Sequence, residues 1–439
     1  MLATAFRVAG AFQKNHPKRW KWRCEWLAQV GLEKLAGWLS GPFAFRVGEV
    51  LGGLAYYLMR SRRQIVLRNL RIAFYREKTL PELRQMAHAT FRRTGANLFS
   101  ALHTTGLGAD RIDSVITVEN PELVAEALLQ SSGLVLLPCH MGNWEILTRI
   151  HRRLPPGHKN GAFYRPLNNP LLDARVLAQR EAEGCRLFSK RDSFHQATGF
   201  LRTGGILGIL ADQRAGRQGE LVRFFGRLTR ASPLPSLLAR RSKSGVLAMS
   251  LVTVSPGKWR VRYHLLNGPI STVNCMRAIE QAIRVNPLDY FWLQERWKVY
   301  LRPGHTICDW LGSDAMEMGT PHRALLWLAG VPQDWRLPEG WLHPDVVYEV
   351  VLASGQDRPS WLAGWEICHT VPSAGDTRGL CQALAKMDLM AALPVDYILT
   401  FTASLTLRKA AVRRSIPLVS LASASAKMSE SCTSTDEIS

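Results

Sequence analysis

Through its first hundred residues the chain sets apolar side chains at helical spacing and keeps interrupting them with charge. The most apolar stretch, 26–59, is broken by Glu33, Lys34, Arg46 and Glu49. No uncharged run of about 18 residues is left to cross a bilayer. Trp20, Trp22, Trp26 and Trp38 are interleaved with Lys and Arg. That pattern suits amphipathic helices lying in a membrane interface, and an ordinary pair of surface helices would show the same periodicity. Residues 60–105 continue the helical spacing, with arginines on the remaining faces.

Beyond residue 130 the period changes. Short apolar runs at Gly133 to Leu137, Gly161 to Tyr164, Arg186 to Phe188, Ile206 to Leu210, Val246 to Val252 and Trp259 to Leu265 alternate with helix-length segments such as 169–183, 192–203 and 233–243. Strands spaced by helices predict an α/β domain whose sheet is mixed and largely parallel, flanked by helices. Such sheets gather ligands at the carboxyl ends of their strands. Around Leu301 to Gly319 the composition turns Gly- and Asp-containing, which marks a boundary. Further on, 323–329, 347–353, 396–401 and 417–422 read as strands and 379–393 as a helix, a small C-terminal α/β unit. The Ser-rich segment 423–439 reads as a disordered tail. The expected organisation is therefore a basic amphipathic helical region at 1–60, an α/β domain at 61–305 and an accessory unit at 320–422.

Charge sharpens this division. The 439 residues carry 56 Lys and Arg against 35 Asp and Glu, a net +21. Residues 306–439 hold 10 basic and 15 acidic residues, so residues 1–305 hold 46 and 20, a net +26. A domain this basic calls for an anionic partner: a membrane surface, an acidic protein or substrate, or nucleic acid. No nucleic-acid-binding motif accompanies the charge, and nucleic acid is not expected. The eight cysteines form no C-x-x-C and no Cys/His pairing at zinc spacing, so neither a structural metal nor a disulfide framework is expected. The apolar stretch at the chain start is short and runs into a basic cluster between Lys18 and Arg23, unlike a signal peptide.

The candidate chemistry sits where the run Gly133 to Leu137 stops at Pro138 and delivers Cys139-His140-Met141-Gly142-Asn143-Trp144-Glu145. An imidazole titrating near neutrality can take the proton of an attacking alcohol. A carboxylate on its other ring nitrogen would fix the tautomer and stabilise the imidazolium. His140 and Glu145 can approach each other across the loop-to-helix transition, although this spacing recurs by chance in a chain of this composition. Cys139 is an alternative nucleophile, but nothing marks it as activated and it reads better as a small buried hydrophobe. Arg165 can grip a phosphate or a developing oxyanion, or form an ion pair at the sheet edge. Asn168 and Asn169 before Pro170 can contact a ligand or cap a helix. Asp212 closes the run at 206–210, where it would order the site or orient Arg165. Gln213, Arg214 and Arg217 follow in a Gly-containing loop suited to a polar lid. Phe224 and Phe225 either line an acyl groove or pack in the core.

In order along the chain, RRQIVLRNLRIAF (62–74), PCHMGNWE (138–145), FYRPLNNPLLD (163–173), LADQ (210–213) and RFFG (223–226) resemble the late lipid A acyltransferases, the lauroyl and myristoyl transferases of lipopolysaccharide synthesis within the lysophospholipid-acyltransferase superfamily. The resemblance covers roughly 35–300. It implies His140 as general base with Glu145 as its orienting partner, and Asn143, Arg165, Asn168 and Asp212 on the substrate. It also implies an acyl carrier protein as donor, an anionic glycolipid acceptor, no cofactor, and a peripheral position on the cytoplasmic face of the bacterial inner membrane. A glycerophospholipid or glycolipid acyltransferase using acyl-CoA would need the same site chemistry. One departure stands out: the family's Trp-x-His-x-Arg is here FWLQERWK (291–298), with Gln294 at the histidine position. Residues 379–422 faintly resemble part of a heptosyltransferase-like glycosyltransferase, without its donor-binding Gly and His.

Overall fold

The computed structural model describes residues 18–298, apart from 151–152, 182–183, 190–193 and 217, and residues 322–420, apart from 332–334, 336–345, 363, 366–367, 373–375, 402–403 and 415. The expected boundary at 301–319 and the expected tail at 423–439 lie outside the described residues. The described chain forms two compact units. The first takes residues up to Gln64, Gln85–Gln213 and Ala231–Gln294; the second takes Ile65–Arg84, Arg214–Arg230 and the chain from Glu295 onward.

The first unit opens with helices α1 (Arg19–Trp38), α2 (Gly41–Leu58) and α3 (Arg60–Phe74), the last running on into the second unit. Helix α4 (Leu80–Thr105) returns from it. α2 and α4 cross at glycine: a Cβ on Gly48 would lie 2.4 Å from the Gly95 carbonyl oxygen, so the two backbones touch directly. That crossing buries one face of α2 and leaves Phe43, Val50, Leu54, Tyr57 and Leu58 exposed on the other. Among the described residues no helix is long and apolar enough to cross a membrane.

The chain then enters the sheet through α5 (Ala109–Val115), β1 (Ile116–Val118), α6 (Glu122–Leu129) and β2 (Leu134–Pro138). It continues with β3 (Asn160–Phe163), α7 (Pro170–Glu181), β4 (Arg186–Phe188), α8 (Phe194–Arg202) and β5 (Ile206–Gly208). Strands β6 (Glu220–Phe224) and β7 (Arg227–Ala231) form a separate two-stranded hairpin. Helix α9 (Leu234–Ser242), strands β8 (Gly245–Ser255) and β9 (Lys258–Leu265) and helix α10 (Thr272–Val285) complete the unit. The seven-stranded sheet has the order β1-β9-β8-β2-β5-β3-β4, parallel throughout except for the antiparallel pair β8 and β9. The residues show why. β2 is buried along its whole length and is a continuous apolar run, as a central parallel strand must be. β9 alternates, with Trp259, Val261 and Tyr263 turned inward and Lys258, Arg260 and Arg262 outward.

The second unit holds a five-stranded, fully parallel sheet built from β10 (His322–Trp327), β11 (Val346–Ala353), β12 (Cys368–Val371), β13 (Tyr397–Thr400) and β14 (Leu418–Ser420), in the order β12-β11-β10-β13-β14. Helices α11 (Thr377–Met390) and α12 (Leu405–Arg414) connect its strands. This is the mixed, mostly parallel α/β architecture with a small C-terminal sheet that the strand spacing predicts. The units divide differently from the expected 61–305 domain, because 65–84 and 214–230 belong with the C-terminal sheet. Buried arginines account for this. Arg71 is buried and donates to Asp388 Oδ2 at 3.2 Å and to the Ala391 carbonyl at 2.7 Å, while Arg68 lies 3.6 Å from the same carboxylate. Arg227 reaches Asp396 at 3.0 Å. RFFG forms the β6–β7 turn, with positive φ at Phe225 and Gly226. Phe224 and Phe225 are buried against Trp297, which makes them core residues.

Candidate active site

β2 ends at Pro138, and the chain bends through Cys139–Asn143 into a 3-10 turn at Trp144–Arg149. Gly142 permits the bend: its φ is +59°, and a Cβ there would lie 2.4 Å from the Leu251 carbonyl oxygen. The loop is held from behind. Gly142 N donates to Asp289 O at 2.9 Å, and Phe291 N donates to His140 O at 2.9 Å. The buried Asp289 carboxylate accepts from Asn97 Nδ2 at 3.0 Å, from Thr253 N and Oγ1 at 2.7 Å each and from Asn286 Nδ2 at 2.8 Å. A carboxylate satisfied this fully rigidifies what it holds.

His140 therefore stands at the carboxyl end of a central strand with little freedom. Its Nδ1 lies 2.8 Å from Asp212 Oδ1, and its backbone N donates to Asp212 Oδ2 at 3.2 Å. Asp212 follows β5, the strand beside β2, and is fully buried. The Tyr290 hydroxyl donates to the Asp212 carbonyl at 3.3 Å, and Gln294 Nε2 donates to that hydroxyl at 2.7 Å. Gln294, at the family's histidine position, thus braces the segment carrying Asp212. With the Nδ1 proton directed at Asp212, Nε2 keeps its lone pair. Gln213 Nε2 lies 3.1 Å from it, donating. The Trp144 ring packs edge-on to the imidazole at 5.3 Å. Burial acts to lower the His140 pKa, but the charge and hydrogen bond of Asp212, with a further contribution from Glu145, outweigh it and leave the pKa above its usual 6.5. Chemically this is a base with one nitrogen tied to a buried carboxylate and the other open to a proton donor.

The carboxylate on the imidazole is thus Asp212, where the resemblance implies Glu145. Position 145 falls on the 3-10 turn, and there its Oε2 pairs with Arg180 of α7 at 2.7 Å while Oε1 accepts from Trp144 Nε1 at 3.2 Å. Asn143, read as a substrate contact, is buried and donates to Thr104 Oγ1 at 3.0 Å, so it supports the loop from inside. Arg165 is exposed just beyond β3 and makes no hydrogen bond or ion pair with another described residue. Asn168 is exposed, and its neighbour Asn169 supplies the helix cap, its Oδ1 accepting from Leu171 N at 3.0 Å. The Cys139 thiol is pushed far above its usual range by burial and by the charge of Asp212, which removes it as a thiolate nucleophile. Arg217 lies outside the described residues. Arg180 carries no catalytic signature of its own, and only the fold brings it to Glu145; Gln213, read as part of a polar lid, reaches His140.

Next to His140 a narrow apolar slot, about 70 Å³, runs along the sheet beneath the 3-10 turn. Glu145, Arg180 and Trp144 line it, with Pro138, Leu210 and Met249 at one level and Leu136, Gly208 and Ala162 at the next. A wider depression at the amino ends of β3 and β4, lined by His158, Lys159 and Arg186, contains none of these groups.

A histidine paired with a carboxylate, with an apolar slot lined by its neighbours Pro138 and Trp144, fits transfer of an apolar acyl group, and comparison with known proteins identifies the class. The family model of bacterial lipid A biosynthesis acyltransferases matches residues 11–299, and the chain belongs to that family. It is an acyltransferase of lipid A biosynthesis. Over 293 residues it is 25% identical to the lipid A biosynthesis lauroyltransferase of Escherichia coli (strain K12), which covers 64% of this chain and 93% of that one. The family match ends before β10, so the strands of the C-terminal sheet lie beyond it.

Proposed function

We propose that this chain transfers a fatty acyl group from acyl carrier protein to a hydroxyl of a lipid A precursor, with His140 as general base and Asp212 as the carboxylate that orients it. The observation that carries the reading is the 2.8 Å contact between His140 Nδ1 and Asp212, which leaves Nε2, now beside Gln213, as the nitrogen available to a hydroxyl. His140 Nε2 takes the hydroxyl proton as the oxygen attacks the thioester carbonyl. The tetrahedral intermediate then expels the carrier thiolate, which recovers that proton from the imidazolium. Ester and free thiol are the products, and Asp212 stays ionised throughout. The raised pKa of the buried Cys139 thiol argues for direct transfer over an acyl-enzyme. Arg165, an exposed cation beyond β3, is assigned to the acceptor phosphate or the oxyanion. Asn168 in the same loop is assigned to the acceptor, and Glu145 with Arg180 forms the rim over the acyl chain.

The same reading gives α1 and α2 a task. Trp20, Trp38, Val50, Leu54 and Leu58 are exposed on helices flanked by Arg and Lys, in a segment of strong positive charge. Such a surface suits an anionic leaflet of the inner membrane, reached from the cytoplasmic side without a spanning helix. The test is purified protein assayed with a phosphorylated lipid A precursor and with acyl carrier protein or coenzyme A thioesters in competition. Transfer from the carrier, lost in His140→Ala, is expected. Preference for coenzyme A would reassign the donor, and near-wild-type activity of His140→Ala would remove the base.

A further inference from the structure

The slot has one wall that cannot yield. Its cover is side chains of the 3-10 turn, which can turn aside, whereas its floor is the sheet itself, fixed by hydrogen bonds on both sides of β5. In the floor, Leu136 of β2, Gly208 of β5 and Ala162 of β3 are register partners across three adjacent parallel strands. They therefore lie at one depth and face the same side. The middle position of that row has no side chain. A Cβ built on Gly208 meets only the Gly161 carbonyl oxygen, at 3.7 Å, and otherwise open space. Leu207, on the opposite face, is fully buried. Gly208 is thus a glycine that neither backbone conformation nor close packing requires. Its effect is to keep the slot open at this depth.

Asp212, which holds His140, follows Gly208 by four residues, so the row lies no more than about 13 Å from that carboxylate, at about 3.3 Å per extended residue. We infer that Gly208 sets the length of acyl chain the enzyme accepts, by leaving the row at 136, 208 and 162 passable. This rests on the proposed acyl-transfer reading, and it adds a specificity-determining residue that does not touch the reacting atoms. Because the slot is so narrow, single methyl groups there decide whether a chain passes.

The experiment replaces Gly208 by Ala, Val and Leu and measures kcat/KM for the full-length enzyme over a ladder of saturated acyl donors of increasing length. The expected result is a stepwise shift of the optimum toward shorter chains. Discrimination against the wild-type optimum should grow by on the order of tenfold per methylene excluded, with the shorter donors still used. Should the larger variants fail to fold, Ala162→Val fills the same row from the neighbouring strand and is expected to shift the profile the same way. An unchanged length profile in folded Gly208→Ala and Gly208→Val would overturn the inference, and so would a uniform loss across all lengths. Failure of the underlying reading looks different: the wild-type enzyme would then transfer no acyl group from any donor in the ladder.

Discussion

Replacing Asp212 by Asn should cripple the enzyme while leaving its shape intact, and replacing Glu145 by Gln should not. Asp212 accepts from two donors at once, His140 Nδ1 at 2.8 Å and His140 N at 3.2 Å. An Asn in its place has only one oxygen to offer. Keeping that oxygen on the backbone N–H turns the amide NH₂ toward Nδ1, which must then accept, and the ring proton moves to Nε2. A protonated Nε2 cannot receive the hydroxyl proton. The corresponding exchange in a Ser-His-Asp site lowers kcat by about 10,000-fold, about 5.5 kcal/mol at 1.36 kcal/mol per tenfold, and a loss of that order is expected here. Glu145 touches Arg180 and Trp144, and its carboxylate side chain is 45% exposed. Glu145→Gln loses a screened pair of the kind worth about 0–1 kcal/mol, so a loss below about tenfold is expected. The assay is the initial rate at saturating donor and acceptor across pH. In wild type, activity should fall as pH drops through a His140 pKa above 6.5, where the base becomes protonated. Removing the charge of Asp212 should move any residual activity to lower pH. A Glu145→Gln enzyme as inactive as Asp212→Asn, or an Asp212→Asn enzyme within tenfold of wild type, would return the orienting role to Glu145.

Gln213→Glu places a carboxylate against His140 Nε2 and stabilises the imidazolium, so the acid limb of the rate profile should move to higher pH, whereas Gln213→Ala should not move it upward. Cys139→Ala should keep activity within about tenfold of wild type in the transfer assay, because the buried thiol is not a thiolate. Asp388→Ala leaves Arg68 and Arg71 buried without their carboxylate and should cost about 3–5 kcal/mol in denaturant unfolding. Asp388 and Asp396 are held below the usual carboxylate range, and Glu349 down to about 2, where in each case hydrogen bonds and neighbouring cations outweigh burial. Their stabilisation is present above the ordinary carboxylate pKa and lost as pH falls through the depressed values. The C-terminal sheet should therefore unfold between about pH 4 and 2, followed by circular dichroism. Leu54→Asp with Leu58→Asp removes two exposed apolar side chains, each worth about 1.5–3 kcal/mol when buried, and should weaken sedimentation with anionic vesicles by more than tenfold.

Much of the fold was legible because burial on both faces leaves a clear mark. β2, the Ala324–Trp327 part of β10 and the Tyr397–Leu399 part of β13 are apolar runs in sequence and lie on inner parallel strands in space. The three-residue β1 gave no such signal, since Thr117 is exposed and the strand is defined only by its register with β9. The β6–β7 hairpin was equally hidden, because Phe225 takes a positive φ that its residue type does not advertise. In the candidate site, the position of His140 at a strand end was legible in sequence. The carboxylate hydrogen-bonded to its Nδ1 was not, because Asp212 lies 72 positions away and only the adjacency of β2 and β5 brings the two together.

Charge invited the simplest reading and turned out to be the most divided feature. The excess of +26 in residues 1–305 suggests a surface field, yet Arg68, Arg71 and Arg227 are buried. Their counterions are Asp388 and Asp396, from the acidic part of the chain. The acids beyond residue 306 are thus in part internal partners for arginines that belong to a family motif. A helix carrying RRQIVLRNLRIAF cannot be judged basic by counting, since Arg60 and Arg62 are exposed while Arg68 and Arg71 are sealed. Exposed cations nonetheless stand in the cluster from Lys18 to Arg23 and at the start of α3, at Arg60 and Arg62. Those cations flank the exposed apolar residues of α1 and α2, so on the proposed membrane-facing reading the electrostatic and the apolar terms would act at the same place.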